Sequence, residues 1–171
     1  TLLSAVLGVG TVAFVYRAVR YLGTFWAAVV ASASLALGPL FWTLSTEAEV
    51  YTLNTFLLAG TAFYLTRWWM TGQARALTPA LACFLLGLAN HLTLLLLAPP
   101  GALLLWFGYR RKLVERRSML FAAAFGLLAL SLYSYVPIRI LMGAPYSDFE
   151  GPLNARSLWG YVTAEKFHAA L

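Results

Sequence analysis

The chain has 171 residues, 61% of them hydrophobic and only 11% charged, with a mean hydropathy of +0.77 and a net charge of +6. A soluble domain carries about a quarter charged residues, and one this small keeps too much surface to hide so many apolar groups. A water-soluble fold is therefore excluded, and so is a nucleic-acid surface: the basic residues sit between apolar runs, where they act as topology signals.

A helix needs about 20 apolar residues to cross a hydrocarbon core of about 30 Å. Residues 2–19 supply the first span, closed by Arg17, Arg20 and Gly23. Residues 25–44 supply the second, with Gly38-Pro39 near its end and Trp42 as an interfacial aromatic. A polar stretch from Ser45 to Tyr51 follows, and residues 53–69 form the third span, closed by Arg67, Trp68 and Trp69.

Residues 77–107 are too long for one straight span, at about 46 Å if helical, and Asn90-His91 interrupts them. Arg75 precedes this region and Arg110, Arg111, Lys112, Arg116 and Arg117 follow it. If both basic loops lie on one side, the chain must go in and return. The spacing thus predicts a hairpin of two short helices, of about 12 and about 16 residues, with its tip near Asn90-His91. Residues 119–136 form the last full span, stopped by Pro137. After Ile140 the composition turns to Gly, Pro, Asp, Asn and Ser, an extramembrane loop, and residues 158–170 suit a short interfacial helix.

The expected fold is all-α, a polytopic transmembrane bundle of about six segments over residues 1–140, with a non-cytoplasmic loop and interfacial helix over 141–171. Nine of the twelve basic residues fall on one side and five of the six acidic ones on the other. The positive-inside rule makes the first side cytoplasmic. The protein is then a multi-pass component of a bacterial inner membrane or the endoplasmic reticulum. Cys83 is the single cysteine, so no intrachain disulfide forms. No charged segment followed by a cleavage site precedes the first apolar run, and the chain is expected to be an internal piece of a longer protein. The six tryptophans, mostly near span ends, read as an aromatic belt.

Three polar islands converge on the non-cytoplasmic face: residues 47–54, Asn90-His91, and residues 135–150. If the third helix begins near Thr46, Glu47, Tyr51 and Asn54 share one face at i, i+4, i+7, with Glu49 towards a neighbour. Carboxylates at a helix N-terminus also favour the macrodipole. Either Glu47 or Glu49 can serve as a general base for an acceptor hydroxyl or hold a divalent cation. Asn54 and Asn90 suit interhelical hydrogen bonds. His91 has only His168 for company, with no metal-ligand spacing, which leaves ligand contact or core packing. Arg139 lies where basic residues are few and can clamp a phosphate or snorkel to the interface. No catalytic triad order, P-loop, CxxC or HExxH is present, and no other cofactor is indicated.

The run Phe41-Trp42 followed by Glu47-Ala48-Glu49-Val50-Tyr51-Thr52-Leu53-Asn54 resembles the "FW…aEVYxLN" segment of the DUF2723 family of polytopic proteins. Gly87-Leu88-Ala89-Asn90-His91-Leu92 resembles its "GLxxxNH" turn, slightly shortened, and Tyr135-Val136-Pro137-Ile138-Arg139 its "YxPIR" motif. That family is similar to the GT-C glycosyltransferases and includes protein O-mannosyltransferases. The resemblance implies a polyprenyl-phosphate sugar donor, with mannose first, and a protein or glycan acceptor. It also implies a site lined by Glu49, Asn90, His91 and Arg139, with Arg139 on the phosphate. The family's "DSGE" and "HPPGYPL" stretches, which lie upstream in the first non-cytoplasmic loop, do not occur here. Leu2-Leu3-Ser4-Ala5 resembles the "NLLSA" segment that follows them. The principal acid is thus expected before Thr1, or the chain is an inactive relative. The competing class is a scaffold subunit of a larger, energy-converting membrane complex, for which the small residues 27–36 suit helix contacts. A transporter, which needs charged or broken helices at the midplane, ranks third. Ala48→Cys and Asn90→Cys, each in a Cys83→Ser background, are expected to label from the same side of the membrane; labelling from opposite compartments rejects the topology.

Overall fold

A computed structural model describes residues 2–47, 50–143 and 154–162. Among them the structure is helical throughout, in nine α-helices with two 3-10 segments. Two compact units are distinguished, Thr1–Ala129 and Leu130–Leu171.

Helix α1 (Leu2–Leu22) is an unbroken apolar helix with Arg20 in its last turn. Thr24 starts α2 (Phe25–Ala36), its Oγ1 accepting the Ala27 N–H at 3.2 Å. The expected second span is not one helix. It breaks at Leu37-Gly38, and Pro39 opens α3 (Pro39–Thr46) at an angle of 62° to α2. The cause is Pro39, which has no N–H to continue the ladder and holds Gly38 in an extended conformation.

Helix α4 (Val50–Thr71) runs beside α1 and α5 and is the most buried element, with Thr52, Asn54, Leu57, Ala59, Gly60, Thr61, Phe63 and Trp68 enclosed. Phe14 of α1 stacks against Phe56, Phe63 and Tyr64 of α4 at 5.1, 5.5 and 5.7 Å between ring centroids. Gly72, in the left-handed region at φ +66°, closes α4 through its N–H to Trp68 O at 2.9 Å. A 3-10 turn (Ala74–Ala76) leads into α5 (Leu77–Asn90).

At His91 the chain turns back. A 3-10 segment (Leu92–Leu97) continues into α6 (Ala98–Arg110), and Leu94 packs on Gly87, where a Cβ would lie 2.2 Å from its Cδ2. At the other end, Trp68 is wholly buried with Ala76 and Leu77. Its indole donates to Leu113 O at 3.1 Å and its ring lies on Gly108 of α6. Trp68 is thus a core anchor and not part of an interfacial belt, whereas Trp26, Trp42, Trp106 and Trp159 are exposed.

Helix α7 (Arg116–Leu132) is followed, after a break at Tyr133-Ser134, by α8 (Tyr135–Leu141). Pro137 does not stop this region as expected. It lies in the first turn of α8, where its missing N–H costs nothing, and the break falls at Tyr133, the carbonyl four residues earlier that a proline ring excludes. Asn154 Oδ1 accepts the Ser157 N–H at 2.9 Å and starts α9 (Ala155–Val162), three residues before the expected helix. The rest of that expected helix, to residue 170, lies outside the described residues.

By length and apolarity three segments can cross a membrane, Leu2–Leu22, Leu92–Arg110 and Arg116–Leu141, or four if the bent α2–α3 pair counts as one. The other expected segments, α4 and α5, do not meet both measures: α4 is long but too polar, and α5 is short. The candidate spans expose most of their apolar side chains, as helices solvated by lipid do.

Gly108→Ala is expected to destabilise the bundle by about 1–3 kcal/mol, because the new methyl would lie 2.2 Å from the Trp68 ring. Gly101→Ala in the same helix meets nothing within 4 Å and should be neutral or stabilising by up to about 1 kcal/mol. Thermal unfolding of the two variants in one detergent checks the contrast.

Candidate functional site

The polar cluster sits where the start of α4 meets the end of α5. Asn90, the last residue of α5, donates from Nδ2 to Val50 O at 3.2 Å. His91 is extended (φ −157°, ψ 131°) and caps the 3-10 segment, its Nδ1 accepting the Thr93 N–H at 3.2 Å. Thr93 Oγ1 lies 3.1 Å from the same nitrogen and accepts from Asn54 Nδ2 at 2.9 Å. The Tyr51 and His91 rings stand 5.8 Å apart. Four residues singled out from the sequence, Tyr51, Asn54, Asn90 and His91, are thereby brought together. Asn54 is the buried one, at 8% exposure, and its Oδ1 has no hydrogen-bond partner. Tyr51 is exposed and Asn90 and His91 are half-buried.

Glu47 does not share their helix. Helix α3 runs to Thr46, whose Oγ1 bonds back to Trp42 O and Thr43 O, and Glu47 is the extended residue after it. Since α4 begins only at Val50, the i, i+4, i+7 face that was expected to join Glu47 to Tyr51 and Asn54 does not form. Nor does Glu47 lie in the first turn of α4; it stands at the C-terminus of α3, where the macrodipole disfavours an anion. Glu49 lies outside the described residues, as do Asp148, Glu150, Glu165 and His168. Arg139 belongs to the second unit, exposed in the last turn of α8.

Two threonines complete the cluster and were not anticipated. Thr93 links Asn54 to His91, and Thr52, almost fully buried, donates from Oγ1 to Leu44 O at 2.6 Å and so ties α4 to α3. The available signal was a hydroxyl two residues after His91, inside an otherwise apolar run.

The arginines gather at the opposite end of α4. Arg67 and Arg75 meet at Gln73 Oε1, and Arg111 lies 4.6 Å over the Trp69 ring. Asn54 and Arg67 are about 20 Å apart along the helix axis. Two apolar grooves of about 300 Å³ run along the first unit, one lined by Leu22, Met70, Pro100 and Leu104, the other by Val15, Leu35, Phe41 and Leu58. Neither includes the polar cluster. Among the described residues no group of three His, Cys, Asp or Glu stands close enough to hold a metal ion.

Residues 2–115, two thirds of the chain, match the family model of the protein O-mannosyl-transferase TMEM260 N-terminal domain. This match corrects the assignment to DUF2723: the short motifs around Glu49, Asn90 and Arg139 are too few residues to separate one O-mannosyltransferase-like family from another. No curated protein and no solved structure matches the chain.

Asn54→Ala is expected to cost about 1–3 kcal/mol, because it leaves the Thr93–His91 turn without its buried tie. Asn90→Ala, which removes a bond open to solvent, should cost less than about 1 kcal/mol. Unfolding midpoints of the two variants check the order.

Proposed function

The chain belongs to the protein O-mannosyl-transferase TMEM260 N-terminal domain family, and from that membership we propose that it is the membrane module of a GT-C-like glycosyltransferase. In this reading it is a multi-pass protein. Its polar cluster opens on the non-cytoplasmic face and its arginine-rich end lies in the cytoplasm. The donor is a polyprenyl-phosphate sugar, with mannose first, and the acceptor is a hydroxyl on a protein or glycan.

The observation that carries the reading is the joining of Tyr51, Asn54, Asn90 and His91 at one end of α4, with the arginines at the other. Helices distant in sequence thus present hydrogen-bonding groups at a single surface, as a carbohydrate or phosphate site requires. In the transfer, the acceptor oxygen forms a bond to the anomeric carbon. The bond from that carbon to the phosphate oxygen breaks, and its electron pair leaves with the polyprenyl phosphate. The acceptor proton passes to a carboxylate, for which Glu49 and Glu47 are the nearby residues in sequence. Tyr51, Asn54, Asn90 and His91 bind the substrate. Arg139 is included on sequence grounds alone, as a guanidinium for the donor phosphate.

The test is transfer from radiolabelled polyprenyl-phosphate mannose by the intact protein in proteoliposomes. Glu49→Gln is expected to lower the rate about 100-fold, and Arg139→Ala by about tenfold to 100-fold. Unchanged rates in correctly inserted variants remove these residues from the site. A wild-type protein that transfers no sugar from any polyprenyl-phosphate donor rejects the reading.

A further inference from the structure

The hydrogen bonds around His91 decide which ring nitrogen is left for a ligand. Nδ1 receives the Thr93 N–H at 3.2 Å and lies 3.1 Å from Thr93 Oγ1. That oxygen already accepts from Asn54 Nδ2 at 2.9 Å, so its own hydrogen is available to Nδ1. A proton on Nδ1 would confront the Thr93 N–H and leave a donor unpaired. A bare Nδ1 accepts the Thr93 N–H, and the Thr93 hydroxyl can share the same lone pair in a three-centre bond. The neutral ring then carries its proton on Nε2, which has no hydrogen-bond partner among the described residues.

Asn54 holds one side of this arrangement. It is buried on α4, and its amide N–H fixes Thr93 Oγ1 as an acceptor on that side. The threonine hydroxyl keeps its own hydrogen, which is free to point onward to the imidazole, and the direction there is set by the Thr93 N–H that Nδ1 accepts. The chain of donors runs from α4 through Thr93 into His91, and it ends at a ring whose one basic nitrogen is occupied.

We infer that Thr93 is a positioning residue that fixes His91 in the Nε2–H form, so that His91 meets its ligand as a hydrogen-bond donor and not as a base. The identity of that ligand, an oxygen of the donor phosphate or its sugar, rests on the transferase reading above; the state of the ring does not. Proton abstraction from the acceptor hydroxyl is left to a carboxylate.

Nitrogen-15 spectra of the intact protein, labelled at histidine, test the inference, with the His91 signals assigned by their loss in His91→Gln. The expected ring has a bare Nδ1 and a protonated Nε2. Thr93→Val deletes one of the two donors to Nδ1 and leaves Asn54 unpaired. The backbone N–H of residue 93 remains, so the Nε2–H form should still prevail but with a measurable Nδ1–H fraction beside it, and transfer should slow about tenfold, while Thr93→Ser keeps the wild-type spectrum and a rate within about twofold. A wild-type proton on Nδ1, or a spectrum unmoved by Thr93→Val, overturns the inference. If the ring behaves as expected but His91→Leu transfers sugar at the wild-type rate, the transferase reading of this site fails and the positioning role of Thr93 stands.

Discussion

Helix α4 carries too many polar groups to stand in lipid by itself. Thr52, Asn54, Thr55, Thr61, Thr66 and Arg67 all lie within its 22 residues. Each hydroxyl or amide in hydrocarbon must find a partner or cost several kcal/mol. Thr61 bonds back to Leu57 O at 2.7 Å, Thr52 reaches Leu44 O, and Asn54 reaches Thr93. The helix is enclosed by α1 and α5, and the more apolar elements around it show their side chains outward. Burial of α4 therefore organises the first unit. It brings the α5–α6 turn against one end of the helix and the Leu113 carbonyl against the other.

The two ends are held by different chemistry. At the arginine end the anchor is Trp68, a large ring that meets a glycine and makes one hydrogen bond, surrounded by apolar neighbours. At the site end the ties are small polar groups, with Asn54 Oδ1 and Ser45 Oγ buried and unpartnered. Cost falls differently on the two: the first is a packed core, and the second retains polar atoms that a ligand or water can satisfy.

Much of this was legible in the residues. The apolar runs marked the helices, and the charge of the turns marked two opposite ends within the first unit. The reversal at Asn90-His91 followed from basic residues on both sides of a region too long for one straight span. What composition concealed was local geometry. Gly38-Pro39 was expected near the end of a continuous span and is a 62° bend between α2 and α3. Pro137 looked like a stop and is a helix start, since proline's position relative to the break decides its effect. In the sequence Trp68 cannot be told from its neighbour Trp69, and it is the facing Gly108, forty residues away, with Ala76 and Leu77, that makes it a core residue. At the site, Tyr51, Asn54, Asn90 and His91 could be grouped because they were polar in apolar surroundings. Glu47 was misplaced because no spacing rule says which of two adjoining helices will claim Thr46. Thr93 was missed because a single hydroxyl in a leucine run is a weak signal until it is seen between two side chains.

The 3-10 winding of Leu92–Leu97 bears on how a short arm can cover a long distance. A 3-10 helix rises about 2.0 Å per residue against about 1.5 Å for an α-helix, so these six residues reach about 3 Å farther than they would as α. With the 13 residues of α6 the arm comes to about 31 Å, close to the thickness of a hydrocarbon core. Overwinding thus supplies reach without adding residues, and it does so in the segment that begins at the turn bearing His91. A return to α-helical winding there would shorten the arm by about 3 Å and so change the reach of the segment that starts beside the imidazole.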